Sequence, residues 1–132
     1  MIVHVAVGLV FHSSGKVLVA KRADDAHQGG LWEFPGGKVE SHESVDVALA
    51  RELHEELDIK VSAASPVMQI SHDYSDKKVL LDIWKVDDYS GIPMGREGQA
   101  IQWLAIEELE DFQFPKANEA IVQWLEQQAA IQ

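Results

Sequence analysis

The chain has 132 residues, no cysteine, and 11 basic against 22 acidic side chains, a net charge of −11. That length suits one domain with a real core, and the missing thiols exclude disulfides and thiolate metal sites. The charge argues against nucleic-acid binding, because phosphate backbones need cationic surfaces. No apolar run approaches the ~20 residues of a membrane span. The start, MIVHVAVGLVFHSSGK, lacks the basic stretch and small-residue cleavage site of a signal peptide, so a cytoplasmic protein without membrane partners is expected. A monomer is expected, with a dimer left open.

In chain order, residues 2–11 (IVHVAVGLVF) and 17–21 (VLVAK) are β-branched and apolar, separated by the turn-like Ser13-Ser14-Gly15, which predicts a hairpin. Gly29-Gly30, Pro35 and Gly36-Gly37 make residues 22–42 mostly loop. Residues 43–57 read as a helix with Val45, Leu49, Leu53 and Leu57 in one apolar stripe. Ser41 or His42 could precede its first turn, and Glu43 suits its positive end. Residues 67–73 and 78–86 read as two strands joined by Tyr74-Ser75-Asp76-Lys77. After a glycine-rich loop come a short strand at 100–104, one helical turn at 106–110, and a last helix at 116–129 with Ala120, Ile121, Trp124 and Leu125 on one face. This order predicts a mixed-sheet α/β or α+β sandwich with helices on the sheet faces.

The chemistry concentrates on the first helix. Glu52, Glu55 and Glu56 stand at i, i+3 and i+4 and must share a face. Their mutual repulsion is relieved by a hard dication such as Mg²⁺, which prefers carboxylate and carbonyl oxygens. An ordinary solvated acidic face would show the same spacing. Gly36-Gly37 immediately upstream allows a sharp turn that could aim a carbonyl at such an ion.

Gly37, five residues, Glu43, seven residues, then Arg51-Glu52-Leu53-His54-Glu55-Glu56-Leu57-Asp58-Ile59 resembles the signature box of the Nudix hydrolases. Asp58 is the one departure, standing where that family usually has glycine. Aspartate tolerates the left-handed, helix-ending conformation better than most residues. The similarity extends over nearly the whole chain, through Val5-Ala6-Val7-Gly8, Arg22-Ala23-Asp24-Asp25-Ala26-His27, Glu33-Phe34-Pro35-Gly36-Gly37-Lys38, Gly95-Arg96-Glu97-Gly98-Gln99 and Pro115-Lys116-Ala117-Asn118-Glu119. These stretches are most similar to the branch that cleaves 8-oxo-dGTP.

The resemblance implies one domain, residues 1–132, built as an α/β/α sandwich with a mixed sheet. It implies that Glu52, Glu55, Glu56, Glu97 and the Gly37 carbonyl hold Mg²⁺ or Mn²⁺, and that a nucleoside triphosphate is hydrolysed to monophosphate and pyrophosphate. Glu52 is the first candidate for the general base, with Glu55 or Glu97 as alternates. Arg51 orients a carboxylate, and Glu43 supports the site or orders the loop before the helix. Asn118 falls where the resemblance places a base-reading amide, although it could instead cap the last helix. Phe34 packs on the base or in the core. Arg22, His27, Asp76 and Lys77 match neighbours of the pocket, where a basic side chain could reach phosphate or sugar or instead form an ordinary surface salt bridge. His4, His12, His42, His54 and His72 show no metal-ligand spacing. Other diphosphate substrates (a dinucleoside polyphosphate, an ordinary dNTP, a thiamine-pathway pyrophosphate) and a non-catalytic nucleotide-binding module are the alternatives.

Overall fold

The alternation of β1, Ile2–Leu9, sends its side chains to two opposite layers. Val7 and Leu9 enter one buried cluster, while Ala6 and, just beyond the strand, Val10 enter another. A computed structural model describes residues 2–22 and 30–131. In it β1 is central, bonded antiparallel to β4 (Gly36–Lys38) and parallel to β6 (Lys77–Ser90). The outer strand β5, Lys60–Tyr74, pairs antiparallel with β6, giving the order β4-β1-β6-β5. A second sheet is antiparallel, with β2 (Val17–Lys21) between β3 (Trp32–Glu33) and β7 (Ile101–Leu104). The expected mixed sheet is therefore present.

Helix α1, Val45–Leu57, covers one side of this middle layer and α2, Glu119–Ile131, the other. Leu49, Leu53 and Leu57 of the α1 stripe are fully buried. They come close because Gly8 presents no side chain: a Cβ there would stand 3.1 Å from Leu49 Cδ1 and from Leu53 Cδ1. On the other side Ile121 and Leu125 pack with Leu81, Ile83 and Leu104. Within the α1-facing layer, buried Asp82 accepts hydrogen bonds from Gln69 Nε2 (3.1 Å) and Trp84 Nε1 (2.8 Å) and lies 3.0 Å from His4 Nε2, which ties β1, β6 and β5 together.

Five sequence expectations change. The 2–11/17–21 hairpin survives only as a bridge between Phe11 and Val17 around a tight turn. Both edges of β1 are taken by β4 and β6, so β2 must join another sheet. The 22–42 loop contains β3 and β4. Glycines that read as a turn instead let β4 press against β1, since a Cβ on Gly36 would fall 1.9 Å from the Ala6 carbonyl oxygen. α1 starts after Ser44 rather than Ser41 or His42, leaving Glu43 outside the helix. β5 begins seven residues early; its register shifts, near Ala63 and Pro66, interrupt the periodicity by which a strand is read, and an edge strand tolerates Pro66. The last helix is preceded by a 3-10 turn, Lys116–Asn118, and Ala120 is exposed while Ala117 is buried.

Asp58 ends α1 in the left-handed conformation, φ 60° and ψ 34°, and donates its N–H to the His54 carbonyl. Asp58→Gly should stabilise the protein by about 0.5–1 kcal/mol by removing the side-chain cost of that conformation. Thermal unfolding should show a rise in Tm of roughly 2–4 °C. The exposed Asp58–Arg96 ion pair lost in the exchange, at 3.7 Å, contributes little. A fall in Tm would contradict this account.

Candidate active site

The buried leucine stripe fixes α1 against the sheet, so the glutamates on the helix flank face β4 and the loop before β7. Glu52 lies directly over Gly37: a Cβ on that residue would stand 2.2 Å from the Glu52 carboxylate carbon. Only glycine lets the two approach this closely. Glu56 sits deeper. Its Oε2 is buried and has no hydrogen-bond partner among the described residues, while the carboxylate accepts a bond from the Gly36 backbone. An unpartnered buried carboxylate oxygen is costly. Burial, followed by the charges of Glu52, Glu33 and Glu97, pushes its pKa up to about 8. Burial also raises Glu52, against the opposing pull of Arg51.

Arg51 organises the rim. Its Nε and Nη2 donate to the two oxygens of Glu43 at 2.7 and 2.8 Å, and Nη2 also donates to the Lys38 carbonyl at 3.0 Å. Nη1 donates to Glu52 at 2.9 Å and more weakly to Glu55 at 3.4 Å. The Arg51 hydrogen bonds hold the Glu43 carboxyl down at about 2. The fork thus links the loop before α1, β4 and two helix glutamates, and it aligns Glu52 by a charge-assisted bond. The Glu55 side chain is mostly exposed.

The loop of residues 91–100 returns to the end of α1. Met94 N–H donates to the Leu57 carbonyl and Arg96 N–H to the Glu56 carbonyl, each at 3.0 Å; Arg96 Nη1 reaches the His54 carbonyl at 3.1 Å. The Glu56 and Leu57 carbonyls lie at the helix end, where no intrahelical donor remains, while the His54 carbonyl also accepts the Asp58 N–H. Glu97 therefore borders a small cavity of about 150 Å³ together with Glu56, Glu33, Arg22 and Gln99. Glu56 and Glu97 come together here, and Glu97 raises the pKa of both Glu52 and Glu56. Among the described residues, no three acidic or histidine side chains already converge on one point.

A second cavity, about 270 Å³, adjoins the Gly36-Gly37 strand. It gathers Arg22, Phe34, Lys77 and Asn118, while His27 lies outside the described residues. Phe34 is both core and wall: it is 3% exposed and stacks on Phe114 at 5.3 Å between ring centroids. Asn118 is 9% exposed, and among the described residues no hydrogen bond is made by its side-chain amide, so it does not cap α2. Asp76 lies in the β5–β6 turn and does not line the cavity.

Sequence reasoning overlooked Glu33, Lys38 and Tyr74. Glu33 is ion-paired with Arg22, borders both cavities, and is raised by burial against that pairing. Its role depends on the β2–β3 register, Ala20 opposite Glu33, which no local pattern discloses. Lys38 and Tyr74 line the larger cavity, and burial raises Tyr74.

The family model of the NUDIX domain matches residues 6–124. The chain belongs to the Nudix family. As a Nudix hydrolase it is 35% identical to the 8-oxo-dGTP diphosphatase of Escherichia coli K12 over 118 residues, 89% of this chain and 92% of that protein. It is 40% identical to the CTP pyrophosphohydrolase of the same organism over 111 residues, 84% and 81% of the two chains. A solved MutT structure, from work on Aliivibrio salmonicida and Vibrio cholerae, superposes with a TM-score of 0.86 at 36% identity, covering 97% of this Nudix chain and 99% of its own. The α+β architecture with a mixed sheet is shared with that structure. Among the described residues no helix is long and apolar enough to cross a membrane.

The Glu56 environment gives a pH signature to this Nudix hydrolase. Its carboxyl is raised from 4.5 to about 8 when folded, so between those values the folded state holds a proton that the unfolded chain has released. Stability of the metal-free protein should therefore fall as pH rises through that window. Glu52, Glu33 and Glu97 face the same carboxyl and act in the same direction, while the Gly36 N–H opposes them. Thermal unfolding from pH 5 to 8 should show this decline, and it should be shallower in Glu56→Gln and with saturating Mn²⁺. Parallel curves for wild type and variant would refute it.

Proposed function

We propose that this protein hydrolyses 8-oxo-dGTP to the monophosphate and pyrophosphate, using Mg²⁺ or Mn²⁺, and so removes an oxidised precursor from the cytoplasmic nucleotide pool. The observation that carries this reading is Asn118, nine-tenths buried on the larger cavity with its amide unpartnered among the described residues. An amide offers one acceptor and two donor protons side by side. 8-Oxoguanine presents an N7–H donor beside the O6 acceptor, whereas guanine presents acceptors at both. Asn118 can satisfy the first pair and leaves a mismatch with the second, a difference of about 1–3 kcal/mol when buried.

The residues fit a divalent cation on two counts: the orphaned Oε2 of Glu56 and the Glu52 carboxylate set over Gly37. Glu52, Glu56, Glu97 and the Gly37 carbonyl would hold it, with Glu55 joining from the exposed flank. When bound, the cation supplies positive charge that screens the phosphate oxygens and makes water easier to deprotonate. Glu52 accepts the proton of the attacking water. Water oxygen bonds to the β-phosphorus, and the bond from that phosphorus to the α–β bridging oxygen breaks. Arg22, Lys38 and Lys77 line the cavity where an anionic nucleotide would lie. Arg51 holds Glu52 in place.

A second reading has its own support. The relative at 40% identity is named a CTP pyrophosphohydrolase, and cytosine presents an N4–H donor beside its N3 acceptor, the same pairing that Asn118 offers. The two readings separate in one panel. Pyrophosphate release should favour 8-oxo-dGTP over dGTP by at least roughly tenfold in kcat/KM, the scale of one buried polar mismatch. Asn118→Ala should collapse that ratio, and chelator or Glu56→Gln should abolish turnover with the fold retained. Equal rates on 8-oxo-dGTP and dGTP would remove the oxidised-base reading, and clear preference for CTP would establish the second.

A further inference from the structure

Glu97 is an exposed loop residue, yet its charge acts on both Glu52 and Glu56. Something must hold the loop at that distance from α1. Beyond the backbone bonds and the Arg96 side chain, which reaches the His54 carbonyl, a second side chain spans the gap to the Glu56 end of α1. The half-buried Gln99 accepts the Glu97 backbone N–H on Oε1 at 2.9 Å and donates from Nε2 to the Glu56 carbonyl at 3.2 Å. Only one orientation of the amide satisfies both bonds. The loop is built around this residue: a Cβ on Gly95 would fall 2.1 Å from the Gln99 carbonyl oxygen, and Gly98 takes a φ of +82°, which favours glycine.

We propose that Gln99 is a positioning residue that clasps the Glu97 loop to the last turn of α1 and thereby sets how tightly a divalent cation is held between Glu97 and Glu56. The clasp joins the backbone of one acidic residue to the backbone of the other. Its loss lets the loop move away while both carboxylates remain in the chain. Groups that orient a metal ligand without touching the metal commonly govern affinity by tenfold or more. The inference rests on the cation-dependent reading above and adds a residue to it.

The test is Mn²⁺ titration of the purified protein, followed by calorimetry, for wild type, Gln99→Leu, Glu97→Gln and the double variant. Gln99→Leu keeps side-chain bulk without the amide, and Gln99→Asn, one methylene shorter, serves if the leucine variant folds poorly. Gln99→Leu should weaken Mn²⁺ binding by roughly tenfold. Added to Glu97→Gln it should weaken binding little further, because the group it positions is gone. In the metal-free protein the Glu97 amide should exchange with solvent faster in either Gln99 variant. A lowered Tm with an unchanged Mn²⁺ isotherm would overturn the proposal, as would full additivity of the two substitutions. If wild type itself showed no saturable Mn²⁺ binding, the cation-dependent function would fall and this inference with it.

Discussion

The approach of α1 to the sheet governs everything at the site. Three fully buried leucines clamp one face of the helix, and the missing side chain of Gly8 brings that face down to the backbone of β1. Because the helix repeats every 3.6 residues, fixing Leu49, Leu53 and Leu57 fixes the azimuth of Glu52 and Glu56 on its flank. Those two carboxylates must then meet β4, and β4 can receive them only because it begins Gly-Gly. A side chain at either glycine would collide, at Gly36 with the Ala6 carbonyl and at Gly37 with the Glu52 carboxylate. The hydrophobic core thus forces negative charge into a place where protein groups alone do not neutralise it.

The site answers that charge unevenly. Around Arg51, carboxylates are matched by a guanidinium fork, and Glu43 is held firmly ionised. Around Glu56, the charges that act on it are other carboxylates, and one oxygen has no partner among the described residues. Two environments, one at Glu43 just before α1 and one at Glu56 near its end, therefore push the same chemical group in opposite directions. The rim of matched charges gives rigid geometry. The inner, unmatched group is the natural place for an incoming cation, since buried carboxylates persist when paired or bound to metal. A site of this kind gives up some stability of the free protein for affinity toward what it binds.

Legibility in the sequence followed the same division. The α1 stripe, the short strand at Ile101–Leu104 and the final helix were readable because their periodicity is local. The clustered glutamates and Gly36-Gly37 stood in one continuous box, so the resemblance to the Nudix signature, rather than spacing alone, named the candidates on α1 and β4. What escaped depends on non-local pairing. β4 was hidden because glycine reads as turn, yet here glycine is what a close strand contact demands. Residues 2–21 looked like a hairpin until β4 and β6 claimed both edges of β1. Glu33 and Tyr74 become cavity residues only through the β2–β3 register and the length of β5. Gln99 lay inside a recognised stretch, but its two bonds reach across to another element.

The charge balance points the same way. A protein with a net charge of −11 ought to repel an anionic nucleotide. Its basic residues are few, but three of the eleven, Arg22, Lys38 and Lys77, line the larger cavity beside Gly36-Gly37. The opposite wall of Gly37 meets Glu52. Crossing this glycine strand, the surroundings change from cationic and partly apolar to acidic. Such a gradient orients a molecule that is an aromatic base at one end and a polyphosphate at the other. In the proposed reaction the basic side chains would take the nucleoside end of the phosphate chain, and the acidic side would accept the rest only together with a cation. Under that proposal overall negative charge becomes a selectivity device, since a polyphosphate lacking its divalent counter-ion would meet repulsion at the carboxylates assigned to cleavage.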